Sequence, residues 1–399
     1  MMTTVGIISS AANAAPNDPS NAIERVDVET LMGWEADHQG HALSAFHKTC
    51  NALMAGQRPT TNRDRFEAFY RELIGLCERA LAIDPDDLRA ARAFFATEFR
   101  AVRSQSQSCS EGLLTGYFEP EVAASRVPDN VFRWPLLSAP DDLVPLTNET
   151  RPDGFPAHLT AARRTSDGTL VPYFDRAEIE EGALSDQDLA FVYLKDPVDA
   201  FFIHIQGSAR LSLTDGTSLR VGYAGKNGHP FTAIGRLLVE ADELSLASAS
   251  MESIRQWLAD HPDQAPALMR QNRSFIFFRQ VTDIDPSGGP VGGSGVQLTA
   301  GRSLAIDYRL YPYGLPIWIS ADFSKPKATA DLQSSRLTIA QDTGSAIRGT
   351  ARADFFVGAG QSAGRVAGAL RHPIDFVVLW PKALPLDNLA EGLCLAEHT

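Results

Sequence analysis

The C-terminal part of the chain constrains the fold most, because short strand-like runs follow one another there at close intervals. From Ser274 onward the runs are separated by Gly, Pro and Asp turns, and they read SFIFFR, GVQLTA, SLAID, PIWIS, RLTIAQD and FVVLW. Short strands at this spacing predict a β-barrel or a β-sandwich.

The N-terminal part shows a different period. In FEAFYRELIGLCERALAI the residues Phe66, Phe69, Leu73 and Leu76 share one face of a helix. LRAARAFFATEF repeats this pattern, so residues 23–104 are predicted to be mainly helical.

The middle of the chain mixes strands and helices. LLTGYFEPEV is a strand-like run that Pro120 interrupts. Thr214-Asp215-Gly216 lies between AFFIHIQGSARLSL and TSLRVGYAG, which predicts a hairpin made of two strands. Residues 231–260 are predicted to return to helix.

Composition limits the classes of function. The 399 residues suggest two domains, and 44% hydrophobic with 21% charged residues indicates a globular protein. The formal net charge of -13 argues against nucleic acid as a partner, because phosphate binding needs a basic face. The chain contains no run of 18 apolar residues that would predict a transmembrane helix.

Two features of the N-terminal part leave alternatives open. Residues 1–22 contain a short apolar run, Val5–Ala12, which is either a weak or truncated export signal or part of a disordered tail. Cys50 and Cys77 either bridge two helices in an oxidising compartment or stay unpaired as small hydrophobic residues.

Three aspartates between Gly295 and Gly360 each follow or close a strand-like run. Asp307 and Asp342 precede turns, and a structural role as acceptors of backbone N–H groups is the preferred interpretation for both. Asp354 stands before two phenylalanines and a glycine-rich turn. Apolar neighbours raise the pKa of a carboxyl group, and a carboxylic acid that stays protonated near neutral pH can act as a general acid.

Other candidate ligand-binding residues lie beside glycines. Lys226 and Asn227 follow a strand and are flanked by glycine, and Gln206 and Ser208 flank Gly207. Ordinary turns would account for both clusters equally well. Tyr117 lies in GYFEP, where aromatic residues could stack on sugar rings, although core packing is the default interpretation. The chain contains no Walker loop, no GxGxxG and no GxSxG motif.

Taken together, these motifs closely resemble one family, the MltA-type membrane-bound lytic murein transglycosylases. The resemblance covers about residues 113–381, or two-thirds of the chain. Its pieces run in order as LLTGYFEP, FFIHIQGSARLSLTDG, VGYAGKNGHPFTAIG, NRSFIFF, LTAGRSLAIDYRLYPYGLPIWI and QDTGSAIRGTARADFFVGAGQSAGRVAG. The chain departs from the family in the loop Leu310–Gly314 and at Gly344–Ser345, and neither departure involves Asp354.

The resemblance implies a fold, an activity and a site. The fold would be mainly β with a helical N-terminal part: a double-psi β-barrel domain, an inserted smaller β domain, and a glycan groove between them. The family cleaves the β-1,4 bond between N-acetylmuramic acid and N-acetylglucosamine without water and leaves a 1,6-anhydromuramic end. By this match the residues divide into a catalytic acid, Asp354, a supporting pair, Asp307 and Asp342, and a set lining the groove: Thr115, Tyr117, Gln206, Ser208, Lys226 and Asn227.

The resemblance also sets expectations for organisation and partners. Residues 23–117 and 268–399 would form the barrel domain, and 118–267 the inserted domain. No metal or organic cofactor is expected, because the acid comes from Asp354 and the nucleophile from the sugar itself. Peptidoglycan glycan strands would be the partner of a monomer in the periplasm, with association with the outer membrane and with a wall-remodelling complex as further expectations.

Two alternatives stay open on the sequence. A wall-glycan binding protein of the expansin type would bind without cleavage and could stack sugars on Tyr117, Phe118, Trp318 and Trp380. A muramidase that uses water would need a second carboxylate across the groove, for which Glu119 and Asp215 are the candidates.

Overall fold

The computed structural model describes residues 23–57, 64–104, 112–147, 149–246, 248–282, 284–324, 326–387 and 389. The helices are α1 Gln39–Met54, α2 Glu67–Leu81, α3 Leu88–Glu98, α4 Arg176–Glu180, α5 Pro197–Gln206, α6 Ile234–Glu240, α7 Met251–Asp260, α8 Ala265–Arg270 and α9 Gly360–Ala369. The strands are β1 Ile23–Val26, β2 Phe99–Ser104, β3 Gly112–Glu119, β4 Glu121–Ser125, β5 Trp134–Leu137, β6 Leu143–Pro145, β7 Ala161–Arg164, β8 Leu170–Pro172, β9 Ala190–Leu194, β10 Ser208–Leu213, β11 Ser218–Lys226, β12 Ile276–Val281, β13 Ser303–Ala305, β14 Pro316–Ser320, β15 Ser335–Asp342, β16 Arg352–Ala359 and β17 Arg371–Pro381.

The larger sheet joins the two ends of the described chain. Its eight strands run in the order β1-β2-β17-β14-β15-β13-β16-β3, and β3 also pairs with β17. Pairing of β3 with β17 therefore joins the last strand of this order to its third strand. The fold is mainly β with a helical N-terminal part, which confirms the coarse prediction, whereas the double-psi topology stays a prediction.

The second sheet lies between β3 and β13 in the chain. Its six strands run in the order β12-β11-β10-β4-β9-β5, and a three-stranded sheet of β6, β7 and β8 accompanies it. Pro120 separates β3 of the first sheet from β4 of the second. At the other end, β12 pairs with β11, so hydrogen bonding keeps residues 276–281 in the second sheet, past the division predicted at residue 268.

One segment predicted as a strand is a helix. AFFIHIQ belongs to α5, whose first turn is capped by the Asp196 side chain accepting the N–H of Val198. Pro197 occupies the first turn, and Gly207 ends the helix with φ 79°. These end signals, together with burial on several sides, favour a helix over the strand predicted for this segment. The hairpin prediction holds for the next two strands, because β10 pairs antiparallel with β11.

The N-terminal helices pack on the larger sheet. Phe46 of α1 and Phe69 of α2 belong to one buried cluster that also contains Trp318 and Trp380. Cys50 and Cys77 are joined by a disulfide with a Cα–Cα distance of 5.0 Å, so the bridged alternative is the observed one.

Some sequence expectations fall outside the described residues. The apolar run Val5–Ala12 is among them, as are Cys109 and Cys394. Within the described ranges, none of the helices combines the length and the apolar character needed to cross a membrane.

Candidate active site

Four predicted or newly found site residues lie in one row across neighbouring strands. Thr115 of β3 is the register partner of Asp354 in β16, and Asp354 is the partner of Ala305 in β13. Ala305 is in turn the partner of Asp342, the last residue of β15. Directly paired residues project to the same face of a sheet. The fold therefore brings Asp342 and Asp354 to one face with only the small side chain of Ala305 between them.

Asp354 is the most perturbed acid of this row. Its Oδ1 accepts a hydrogen bond from the Thr115 hydroxyl at 2.5 Å. Burial raises the pKa of Asp354, the nearby Arg352 guanidinium and the Thr115 hydroxyl lower it, and the Asp342 charge raises it again. The outcome is a pKa raised from 3.8 to about 6. A half-buried carboxyl group with such a pKa can carry and release a proton near neutral pH.

Asp342 is held in a fixed orientation. Its Oδ2 accepts from the Tyr117 hydroxyl at 2.7 Å, and its Oδ1 accepts from the N–H of Gly293 at 2.8 Å. Burial raises the pKa of Asp342 despite these hydrogen bonds. Burial and the Asp342 carboxylate both raise the pKa of Tyr117. Tyr117 therefore stays a neutral donor, and its ring packs against Phe356 at 5.4 Å between centroids.

Asp307 has a different environment. It is fully buried and accepts two hydrogen bonds from the Arg309 guanidinium, at 2.9 and 2.7 Å, and one from the N–H of Gly349 at 3.0 Å. Burial by itself would raise the pKa of Asp307, but these bonds lower it below the ordinary value. Asp307 is thus an ionised anchor for two loops, which agrees with the structural interpretation preferred from the sequence.

Lys226 and Asn227 are neighbours with opposite environments. The Asn227 amide is fully buried, donates to the carbonyls of Phe174 and Arg273, both at 2.9 Å, and accepts from the N–H of Phe275 at 2.9 Å. Its side chain therefore holds the loop together.

Lys226 has no hydrogen bond or ion pair within the described part of the chain. Burial and the charge of Arg348 lower the pKa of Lys226. Arg348 follows β15 of the larger sheet, whereas Lys226 ends β11 of the six-stranded sheet. The interaction between these two positive charges therefore crosses the boundary between the two sheets.

Gln206 and Ser208 lie at the junction of α5 and β10. The Gln206 Oε1 accepts the backbone N–H of Phe118 at 3.1 Å, which ties the end of α5 to β3 beside Tyr117. No described residue accepts a hydrogen bond from the Gln206 side-chain amide. Ser208 is buried opposite Gly222 of β11.

Four of the six residues named for the two alternative functions are engaged elsewhere. Trp318 and Trp380 are fully buried in the core and present no sugar-stacking surface. Glu119 is also fully buried, where Arg210 and Arg220 each contact it at 2.8 Å. Asp215 lies in the exposed β10–β11 turn and accepts from Thr217.

A separate cleft of about 1340 Å³ lies on the other face of β3. Phe118 and Gly364 contribute to its walls, and successive residues of a strand point to opposite faces, so Tyr117 and Phe118 face different spaces. None of the predicted site residues lines this cleft. Among the residues that the structure describes, no three His, Cys, Asp or Glu side chains form a group that could hold a metal ion.

Arg352 and Ala305 were not among the residues singled out from the sequence. Arg352 precedes Asp354 by two positions in a strand, a spacing that places both side chains on one face. That signal was available once RADFF was assigned to a strand. The role of Ala305 depends on a register between three strands, for which the sequence carries no local signal.

Comparisons with known proteins match two regions of the chain. Residues 113–279 match the family described as MltA specific insert domain, and residues 302–380 match the 3D domain. The membrane-bound lytic murein transglycosylase A of Vibrio cholerae is 30% identical over 264 residues, covering 65% of this chain and 63% of that protein. The match thus spans somewhat less than two thirds of the length of this curated relative.

Solved structures extend the similarity over most of the chain. The crystal structure of a membrane-bound lytic murein transglycosylase from Agrobacterium tumefaciens is 37% identical, with a TM-score of 0.80, and the alignment covers 90% of this chain and 98% of that one. A structure of MltA from Escherichia coli with bound chitohexaose is 25% identical, with a TM-score of 0.61, over 82% of this chain and 89% of that one.

Proposed function

The chain belongs to the MltA family of membrane-bound lytic murein transglycosylases, and from this premise we propose that it cleaves peptidoglycan glycan strands without water. The bond broken is the β-1,4 linkage between N-acetylmuramic acid and N-acetylglucosamine. The product carries a 1,6-anhydromuramic end.

One observation carries the proposal: a single carboxyl group, Asp354, combines a pKa of about 6 with an oxygen that no described residue engages. Thr115 occupies Oδ1. Oδ2 has no hydrogen-bond partner in the described part of the chain, so it is available to a ligand. A group whose pKa lies near the working pH is suited to give a proton and then take one back.

The chemistry needs only this acid and the substrate. Asp354 donates its proton to the glycosidic oxygen as the bond from that oxygen to C1 breaks. Positive charge develops at C1 in an oxocarbenium-like transition state. The C6 hydroxyl of the same sugar then attacks C1 and gives its proton to the Asp354 carboxylate. The acid is thereby restored, and no water enters the product.

Residues around Asp354 bind and position the glycan strand. Lys226 is a half-buried cation without an acidic partner among the described residues, an arrangement that costs free energy unless a ligand completes it. The Gln206 side-chain amide, which no described residue accepts a hydrogen bond from, and the hydroxyl of Ser208 are further donors that we assign to glycan binding. Tyr117 offers part of its ring to a sugar. Asn227 contributes indirectly, because its side chain fixes the loop that carries Lys226.

The same premise extends to fold, place and partners. We propose that the six strands from β17 through β14, β15, β13 and β16 to β3 form the double-psi barrel, because β3 pairs again with β17. Asp307 and Asp342 support the site from two loops and a strand end. The protein acts as a monomer in the periplasm, associates with the outer membrane, and takes part in a wall-remodelling complex.

Mass spectrometry of purified sacculi digested with wild type and Asp354→Asn tests the proposal. Muropeptides one water lighter than the hydrolysed form, made by wild type and lost in the variant, are expected. Asparagine keeps the acceptor for Thr115 but has no proton to give, so the variant should lose at least about 1000-fold in rate.

Other outcomes would redirect the assignment. Reducing-end products from wild type would identify a hydrolase, and would require a second carboxylate although Glu119 and Asp215 are engaged elsewhere. Protein that pellets with sacculi and releases nothing would support a binding role. Glu119→Gln is a poor control because it breaks a buried ion pair, whereas Asp215→Asn alters an exposed carboxylate and should leave the product pattern unchanged.

A further inference from the structure

We propose that Arg352, acting through the Thr115 hydroxyl, holds the acidic proton of Asp354 on Oδ2, the oxygen that faces the substrate. Arg352 is thus a positioning residue and does not touch the reacting atoms. This inference rests on the proposed role of Asp354 as the acid.

The direction of the hydrogen bonds carries the argument. The Arg352 Nη2 lies 2.8 Å from the Thr115 Oγ1. A guanidinium group has only donors, so the hydroxyl oxygen must accept. The single hydrogen of that hydroxyl then has one acceptor among the described residues, the Asp354 Oδ1 at 2.5 Å. A proton on Oδ1 would displace this hydrogen and leave it without an acceptor, so the proton of Asp354 belongs on Oδ2.

The strand register keeps this relay in place. Arg352 and Asp354 stand two positions apart in β16 and point to the same face. Thr115 lies directly opposite Asp354 on the parallel strand β3. The Arg352 Nη1 also donates to the carbonyl of Ala353, which fixes the guanidinium beside its own strand. The relay is therefore built on two paired strands, which hold side chains more rigidly than loops do.

Charged and titratable groups from each neighbouring strand act on the pair. Arg352 lies on β16 itself, Tyr117 comes from β3, Asp342 from the end of β15, and Arg371 from the start of β17. Asp342 raises the pKa of Asp354, whereas Arg352 lowers it. Burial lowers the pKa of Arg352, the Asp354 charge raises it, and Arg371 lowers it further. Within the described ranges no carboxylate forms an ion pair with Arg352. The positive charge of Arg352 therefore acts mainly on Thr115, through a hydrogen bond, and on the Asp354 carboxyl group.

The pH dependence of kcat/KM on isolated glycan strands tests the relay in Arg352→Gln, with Arg352→Lys as the matched control. Asp354 must be protonated to act, so activity declines as the pH rises through its pKa, near pH 6 in the wild type. Loss of the positive charge should move this decline upward by about 1 pH unit and lower kcat with little change in KM. Lysine keeps both the charge and a donor and should restore the wild-type midpoint.

A second pair of variants separates the relay from the charge. Thr115→Val removes the hydroxyl but keeps Arg352, so kcat should fall about tenfold, and Thr115→Ser should restore most of it. If Arg352→Gln leaves the midpoint unchanged or moves it downward, or if Thr115→Val turns over like Thr115→Ser, the proposal is overturned.

A measurement without turnover distinguishes failure of this inference from failure of the proposed function. Comparison of unfolding curves for Arg352→Gln and Arg352→Gln/Asp354→Asn across pH reports the titration of Asp354 directly. The difference between the two curves should grow from about pH 4 and should level off at a pH about 1 unit higher than for the pair without the Arg352 substitution. If the difference levels off at the same pH in both backgrounds, the role of Arg352 is refuted whether or not the enzyme is a transglycosylase.

Discussion

Replacing Asp354 with asparagine should stabilise the folded protein at neutral and alkaline pH. The pKa of Asp354 is raised from 3.8 to about 6, mainly by burial. Between these two pH values the folded state binds a proton that the unfolded state has already released. Stability therefore falls as the pH rises from about 4 to about 6, and stays lower above that range.

The size of the effect follows from the shift. Each unit of pKa difference is worth about 1.36 kcal/mol, so a shift of about two units costs about 3 kcal/mol of unfolding free energy above pH 7. Asp354 retains some contact with water, and we therefore expect a gain of about 2 kcal/mol in Asp354→Asn at pH 8. At pH 4 the folded-state carboxyl is neutral, and the unfolded one, with a pKa of 3.8, is a little under half protonated. The gain should then shrink below about 1 kcal/mol.

Chemical denaturation of wild type and Asp354→Asn at pH 4, 6 and 8 measures these differences. Asp215→Asn serves as the control, because Asp215 is exposed and the hydrogen bonds of Thr217 lower its pKa. This control should gain no stability at any pH. A variant Asp354→Asn that is no more stable than wild type at pH 8, or equally stabilised at pH 4 and pH 8, would refute the burial argument.

Two further changes separate binding from architecture. Lys226→Met should raise KM about tenfold without lowering the unfolding free energy, because the lysine has no partner in the described protein and one charge-assisted hydrogen bond is worth at least about 1.4 kcal/mol. Asn227→Ala should instead lower the unfolding free energy by about 3 kcal/mol, since it leaves buried backbone groups without hydrogen-bond partners. Steady-state kinetics and denaturation curves of both variants test this division, and a stability loss in Lys226→Met without one in Asn227→Ala would contradict it. Replacing Cys50 and Cys77 together by alanine should lower the unfolding free energy by about 3.5 kcal/mol, the loop-closure contribution for a sequence separation of 27. Denaturation of the wild type in reductant should give the same unfolding free energy as the double variant.

Local pattern predicted much of the architecture correctly. The period of apolar residues in EAFYRELIGLCERALAI gave a helix, observed as α2, because burial of one helical face imposes that spacing. The turn at Asp215 gave the β10–β11 hairpin. The error at AFFIHIQ has a physical reason: a short apolar run fits a buried helix as well as a strand, and only its caps distinguish them.

The site was predicted as a set of residues but not as a geometry. Asp354 could be named because apolar neighbours in sequence signal a desolvated carboxyl group. Its proximity to Thr115 could not be derived from local pattern, because the two residues are 239 positions apart and meet only through a parallel strand pair. For Asn227 the sequence suggested a ligand contact, because the side chain is polar and lies beside glycine. In the structure the Asn227 amide forms its hydrogen bonds with backbone groups of the surrounding loops.

The sequence by itself determined most of the helices and strands, which acids sit in apolar surroundings, and which family the motifs resemble. These properties depend on neighbours within a few residues, so the chain carries them locally. Tertiary structure decided that Glu119 is neutralised by two arginines, that Asp307 is an anchor, and that Arg352 reaches Asp354 through Thr115. Each of these outcomes depends on strand register across long separations, and register is fixed only when the whole sheet is hydrogen bonded and its core is packed.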